Sequence, residues 1–270
     1  MKVLRVFPRR TAATPDDDLV RVGVGPGLFD EADRVEISHT FSWDAPMVDW
    51  LYSQWRHVAP TEIGGPATLT PGGDFVPGRY VKRGYVITSR GCPNRNCNHC
   101  DVPQREGSLR ELPITEGHNV LDDNLLACSE AHIRAVFAML KTQRKVEFTG
   151  GLEAARLKPW HVDLLREVKP KQMFFAYDDP FDLEPLRQAG KMLLDAGFTT
   201  ASHALRAYVL CGYTGDTIDA AGVRMAETLD AGFTPMAMVY RGKDGKRGRE
   251  WIPWARQWIR PHIIHRSAAA

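Results

Sequence analysis

Between residues 83 and 240 the chain carries six short apolar runs, at 83–88, 119–124, 145–148, 172–176, 206–210 and 235–240. Most are separated by stretches with helical periodicity. Ser129 starts one whose apolar face is Ile133, Val136, Phe137 and Leu140; 160–168 is a second. Leu183, Leu186, Gly190, Leu193 and Leu194 mark a third, and Thr217 starts a fourth with Ile218, Ala221, Met225 and Leu229 inward. Short strands joined by helices must run parallel, because a parallel pair needs a long crossover. Their continuous apolar character fits strands covered on both faces. The pattern therefore predicts an α/β fold, and in such folds ligands meet the carboxyl ends of the strands.

Polar or glycine-rich residues stand at the ends of these runs. The segments are Asp122-Asp123-Asn124, Gly150-Gly151-Leu152-Glu153, Tyr177-Asp178-Asp179 and Gly212-Tyr213-Thr214-Gly215-Asp216. After the first run comes Arg90-Gly91-Cys92-Pro93-Asn94-Arg95-Asn96-Cys97-Asn98-His99-Cys100, with its cysteines spaced C-x4-C-x2-C. Gly, Pro and Asn favour turns, so one loop can turn three thiols inward. With no secretory signal, such a cluster reads as metal ligands before disulfides. Three thiolates leave one coordination position for another group, which suits an iron–sulfur cluster; zinc, with His99 or another residue as fourth ligand, is the alternative. Cys128, beside a helix start, and Cys211, in an apolar strand, read as small core residues.

A strand, a cysteine loop with His99 before its last cysteine, and a following α/β region resemble the radical S-adenosylmethionine superfamily, over about residues 80 to 240. The usual spacing there is C-x3-C-x2-C, and this chain has one residue more between the first two cysteines. The resemblance implies a partial (βα)6 TIM-like barrel. It implies that Cys92, Cys97 and Cys100 hold a [4Fe-4S] cluster whose fourth iron is chelated by S-adenosylmethionine. It assigns the amino group of that cofactor to Asp122, Asp123 and Asn124, or else to Gly150, Gly151 and Glu153. Tyr177 and Asp178 fall where the family contacts the ribose. Val209 to Asp216, with Gly212 and Gly215, is similar to the segment near adenine. The implied reaction is reductive cleavage of S-adenosylmethionine to a 5′-deoxyadenosyl radical that abstracts hydrogen from a substrate the sequence does not name. A reducing electron donor is the implied partner.

The flanks complete three expected sections: 1–78, 79–241 and 242–270. In the first, 3–7 and 34–38 read as strands, and Asp44 caps a helix with Pro46 in its first turn and Met47, Leu51 and Trp55 on one face. A strand at 62–65 closes a small Rossmann-like βαβ extension. Its run into Gly64-Gly65-Pro66 is similar to the end of the cobalamin-binding domain that precedes many members of the superfamily. No D-x-H-x-x-G is present, so cobalamin is not expected. Val22 to Gly27 reads as a flexible turn. The stretch 241–270 is basic, with Arg241, Lys243, Lys246, Arg247, Arg249, Arg256, Arg260 and Arg266 against Asp244 and Glu250, and Trp251, Trp254 and Trp258 fall on one helical face. It reads as a helical tail that closes the barrel; the other reading is a nucleic-acid surface. Two further functions stand beside the first: a zinc-knuckle protein that binds nucleic acid through this tail, and a barrel that has lost activity. No apolar run approaches a membrane span, and a net charge of +2 does not by itself imply nucleic acid. The expected location is the cytoplasm.

Overall fold

The structure, a computed structural model, describes residues 1–95, 97, 99–242 and 245–258. Lys243, Arg260 and Arg266 of the basic tail lie outside the described residues.

The N-terminal part is a parallel sheet of β1 (Val3–Phe7), β2 (Val20–Val22), β3 (Arg34–Ser38) and, after helix α1 (Ala45–Trp55), β4 (Thr61–Gly64), in the order β2-β1-β3-β4. Leu4, Val6, Val35 and Ile37 form its own core with Val48, Leu51 and Trp55 of α1. Strand β2 takes Val22, which the sequence assigns to a turn. Three residues between polar neighbours carry too little periodicity to be read. Met47 is exposed and Val48 takes its place in the core. Asp44 stands at the N-cap but makes no side-chain cap, because Arg9 occupies its carboxylate.

The second sheet contains β5 (Tyr85–Val86). A hairpin of β6 (Ser89–Arg90) and β7 (Arg110–Glu111) comes next, with the short helix α2 (Val102–Glu106) between its strands. Then come β8 (Asn119–Val120), α3 (Glu130–Leu140), β9 (Glu147–Phe148), α4 (Pro159–Val168), β10 (Gln172–Tyr177), α5 (Leu183–Asp195), β11 (Leu205–Cys211), α6 (Ile218–Asp230) and β12 (Thr234–Val239). The sheet order is β12-β11-β10-β9-β8-β5, parallel throughout. The strands thus lie side by side in chain order. Every crossover steps the same way, and α3, α4, α5 and α6 pack each on the next. The sequence reads the hairpin and α2 as irregular, since both are short and highly charged.

Alternation sorts the strand residues. Met173, Phe175 and Tyr177 of β10 and Leu205, Ala207, Val209 and Cys211 of β11 join the core under the helices, as does Cys128. Phe174 and Tyr208 stack on the opposite face, 4.4 Å between ring centroids. In α6 the buried positions are Ala221, Arg224, Met225 and Thr228; Ile218 is exposed and Leu229 only partly covered. An internal partner lets Arg224 go inside, and hydrophobic periodicity cannot anticipate that. The final helix, α7 (Trp251–Gln257), packs on β12, with Trp251 buried and Trp254 and Trp258 against the same core. No helix among the described residues is long and apolar enough to cross a membrane.

One glycine sets how closely the helices approach. A Cβ on Gly190 of α5 would lie 1.8 Å from the Ala231 carbonyl oxygen and 3.0 Å from the Phe233 ring. Alanine would add roughly 1 kcal/mol of helix propensity there. Forcing the contact apart costs about 1–3 kcal/mol or more. Gly190→Ala should therefore lower stability by about 2 kcal/mol in urea unfolding. Unchanged stability would mean that α5 does not pack this closely on the segment ending α6.

Candidate functional site

The carboxyl ends of β5 and β8 are joined by one carboxylate. Asp122, 1% exposed, accepts hydrogen bonds from the Thr88 amide (2.6 Å), the Thr88 hydroxyl (2.6 Å) and the Ser89 hydroxyl (2.7 Å). Burial pushes its pKa up, and the bonds from Thr88 and Ser89 oppose that shift. Both of its oxygens are thus engaged within the protein. Asp123 is engaged too: it accepts from the Gly91 amide at 2.9 Å and pairs with Arg105 at 2.9 Å. These two acids aim the chain from β5 into the cysteine loop.

The far flank of that loop is fixed by Glu106. Burial pushes its pKa up, but Arg110, Arg105, Arg90 and the Gly72 amide outweigh that and hold it below the usual carboxylate range. Arg110 and Arg105 lie 2.8 and 3.0 Å from it.

Asn124 is the next residue after the acids, and its role differs. Its Nδ2 lies 3.2 Å from Cys92 Sγ and 2.6 Å from Glu153 Oε2. Its Oδ1 is buried and has no hydrogen-bond partner among the described residues. Glu153 also accepts from Arg156 at 2.5 Å, and Arg156 reaches Asn94 of the cysteine loop at 3.2 Å. The two segments that the sequence offers as alternatives therefore meet at one place. Gly150 and Gly151 serve it unequally. A Cβ on Gly150 would lie 2.4 Å from the Asp122 carbonyl oxygen, so Gly150 seats β9 against the end of β8. Gly151, at φ +102°, has open space where a Cβ would stand.

Cys92 is half-buried; Cys97 and Cys100 are exposed. Surrounding protein raises the Cys97 pKa, and Cys100, Cys92, Asp182 and Glu153 add to the rise. The Cys100 pKa is also raised, by surrounding protein first and by Cys92 and Asp123, against the Val102 amide and Arg105. The three sulfurs thus feel one another's charge. Among the described residues no set of three or more His, Cys, Asp or Glu is drawn together closely enough to grip a single metal ion. A multi-iron cluster needs thiolates spread around it rather than meeting at one atom, and a bound cation would relieve the mutual repulsion. The donors available there are three thiols on one loop and the unpartnered Asn124 Oδ1 beside Cys92.

His99, at φ +68°, packs its ring 5.1 Å from Tyr213 and 5.1 Å from Tyr240. The loop that leaves the first strand of the sheet thereby reaches the ends of the last two. Tyr177 turns away: its hydroxyl bonds Glu227 of α6 at 2.6 Å, on the helix side. Alternation puts Asp178 on the other side with Phe174, and it accepts from the Leu210 amide at 3.2 Å. Gly212, at φ +74°, sits under Trp251, whose ring would be 3.0 Å from its Cβ, and its amide bonds Asp216 at 2.7 Å. Asp216 is held by buried Arg224 at 2.8 Å. Gly215, at φ +87°, is open. The pairings Thr88–Asp122, Arg105–Asp123 and Arg156–Asn94 leave no local signal, because the partners are distant in the sequence, and Arg224 meets Asp216 only once α6 packs on β11.

No protein family matches this sequence, and no curated protein is similar to it.

Asp178 is exposed at the end of β10, yet the surrounding protein and then the neighbouring Asp182 push its pKa up from 3.8 to about 6. The folded state therefore binds more protons than the unfolded chain between about pH 4 and 6, and stability should fall as pH rises through that window. Carboxyl NMR should find Asp178 titrating near pH 6, and Asp182→Asn should bring it down. An ordinary carboxylate titration for Asp178 would mean that neither the surrounding protein nor Asp182 perturbs the end of β10.

Proposed function

We propose that this chain is a radical S-adenosylmethionine enzyme on a partial (βα)6 barrel. The observation that carries the reading is the link Cys92–Asn124–Glu153, which joins a three-thiol loop to the ends of the second and third strands of an in-order parallel sheet. Cys92, Cys97 and Cys100 would hold a [4Fe-4S] cluster. The unpartnered Oδ1 of Asn124 and the open backbone at Gly151 would take the ammonium of S-adenosylmethionine, with Glu153 as the nearby counter-charge. Asp178 suits a ribose hydroxyl, and the open turn at Gly215 the adenine. When bound, the cluster would supply the electron that cleaves the sulfonium to a 5′-deoxyadenosyl radical.

The chain's own part is positioning and shelter. Asp122 and Asp123 fix the loop's entry and Glu106 its flank, so the thiols are held before any ligand arrives. Asn124 donates toward Cys92 Sγ, a contact of the kind that tunes a cluster's potential. His99, between Tyr213 and Tyr240, draws the loop across the strand ends and restricts water there. His99 is thus occupied by two rings, which weakens the zinc-knuckle alternative. The chemistry requires a reducing donor and a reducing compartment, in keeping with the cytoplasm.

Anaerobic reconstitution should load about four irons per chain, and reduction with S-adenosylmethionine should yield 5′-deoxyadenosine. Cys92→Ala, Cys97→Ala and Cys100→Ala should each abolish both. Asn124→Ala should retain iron but slow cleavage about tenfold or more. Zinc bound one per chain, with no cleavage, would overturn the assignment; iron without cleavage would leave an inactive barrel.

A further inference from the structure

A second constellation lies where the two sheets meet, and the cysteine site does not use it. In the N-terminal sheet the order β2-β1-β3-β4 places β2 on one side of β1 and β4 beyond β3. Connections from β1 and β3 therefore leave in opposite directions, and their carboxyl ends form a topological switch point, where α/β folds of this kind open a crevice. Arg9 comes just after β1 there, and Phe41, Trp43 and Asp44 come after β3. Arg9 Nε donates to Asp44 at 2.9 Å, and Asp44 is 4% exposed. From the second sheet, Arg241 comes off the end of β12 and lays its guanidinium over Trp43, 4.6 Å from the ring. Trp43 stacks on Phe41 at 4.8 Å, nearly parallel, and Gly245, at φ +74°, abuts its Cβ.

Among the described residues this place is short of negative charge. Packing and then repulsion from Arg247 and Arg9 depress the Arg241 pKa, and Asp44 is the acid that opposes them. It is also short of acceptors. Arg241 Nε and Trp43 Nε1, on side chains in contact, are buried and have no hydrogen-bond partner among the described residues. A buried donor left unmet is destabilising, because it has lost its water and gained no acceptor. An oxyanion would satisfy both deficits at once.

We infer that this crevice binds the phosphate monoester of a small-molecule substrate, gripped by Arg241, Arg247 and Arg9. Among the described residues, Arg9, Arg241 and Arg247 stand against the one carboxylate of Asp44, an excess of positive charge that suits a phosphate dianion. The spot is compact, whereas a polynucleotide needs a row of cations. Tyr240, next to Arg241, packs on His99 of the cysteine loop, so an anchored phosphate would hold its substrate beside that loop. That the phosphate belongs to a substrate rests on the radical-enzyme proposal; the anion site does not.

The test is titration of the full chain, metal-free and iron-reconstituted, with inorganic phosphate, with glycerol 3-phosphate and with oligothymidylate, read by tryptophan fluorescence and calorimetry. Phosphate and glycerol 3-phosphate should bind saturably. Arg241→Gln should weaken both about tenfold or more, and Trp43→Phe, which keeps a ring, a few-fold. Arg247→Gln alters an exposed side chain, so it gives the same reading should Arg241→Gln fail to fold. Absence of saturable binding, or binding undiminished in these variants, would overturn the site. Tighter binding of oligothymidylate that displaces phosphate would overturn the small-molecule class. Phosphate binding without iron uptake would sink the enzyme reading and keep the anion site; iron uptake and cleavage without phosphate binding would do the reverse.

Discussion

The buried carboxylate of Asp122 is the constraint on which the site depends. A carboxylate at 1% exposure is tolerable only with its lone pairs engaged, and here three donors from Thr88 and Ser89 engage them. That requirement locks the end of β8 to the exit of β5. Gly150 then lets the end of β9 close on the same spot, since any side chain would strike the Asp122 backbone. The cysteine loop therefore starts from a rigid point where three strand ends converge. Asn124 can reach Cys92 and Glu153 together only because its two predecessors are committed elsewhere.

The opposite edge of the sheet is closed by aromatic packing rather than by charge. Trp251 of α7 covers Gly212, and Tyr213 and Tyr240 receive His99. The tryptophan face of the tail is thus spent on burial, which contributes about 25 cal/mol for each Å² of apolar surface removed from water. The same edge carries Arg241 into the N-terminal sheet. Aromatic contacts at the end of β12 therefore serve two purposes, holding the cysteine loop and bringing a cation to the crevice between β1 and β3. The N-terminal section has its own core and sheet, yet its most unusual chemistry lies where the second sheet leans on it.

The order of strands and helices from β8 onward was legible because each element carries its own period and cap, as with Ser129 before α3 and Thr217 before α6. The short hairpin and β2 were not, because two or three residues carry no period and owe their form to a partner. Within the site, the spacing of Cys92, Cys97 and Cys100 marked the loop, and the polar strand ends marked its neighbourhood. Sequence could not divide the labour among those polar residues. Asp122 and Asn124 stand two positions apart, yet one is wholly engaged inside the protein and the other keeps a free acceptor beside a thiol.

The sequence by itself determined that this chain makes a parallel α/β sheet with a three-cysteine loop at a strand end, because periodicity, caps and turn residues act locally. Only the tertiary structure decided that Gly150 packs while Gly151 stays open, that Tyr177 faces the helices while Asp178 does not, and that Arg241 lies over Trp43 beside the Arg9–Asp44 pair. Those outcomes depend on which distant groups reach each side chain and how much water they displace, and no local stretch encodes either.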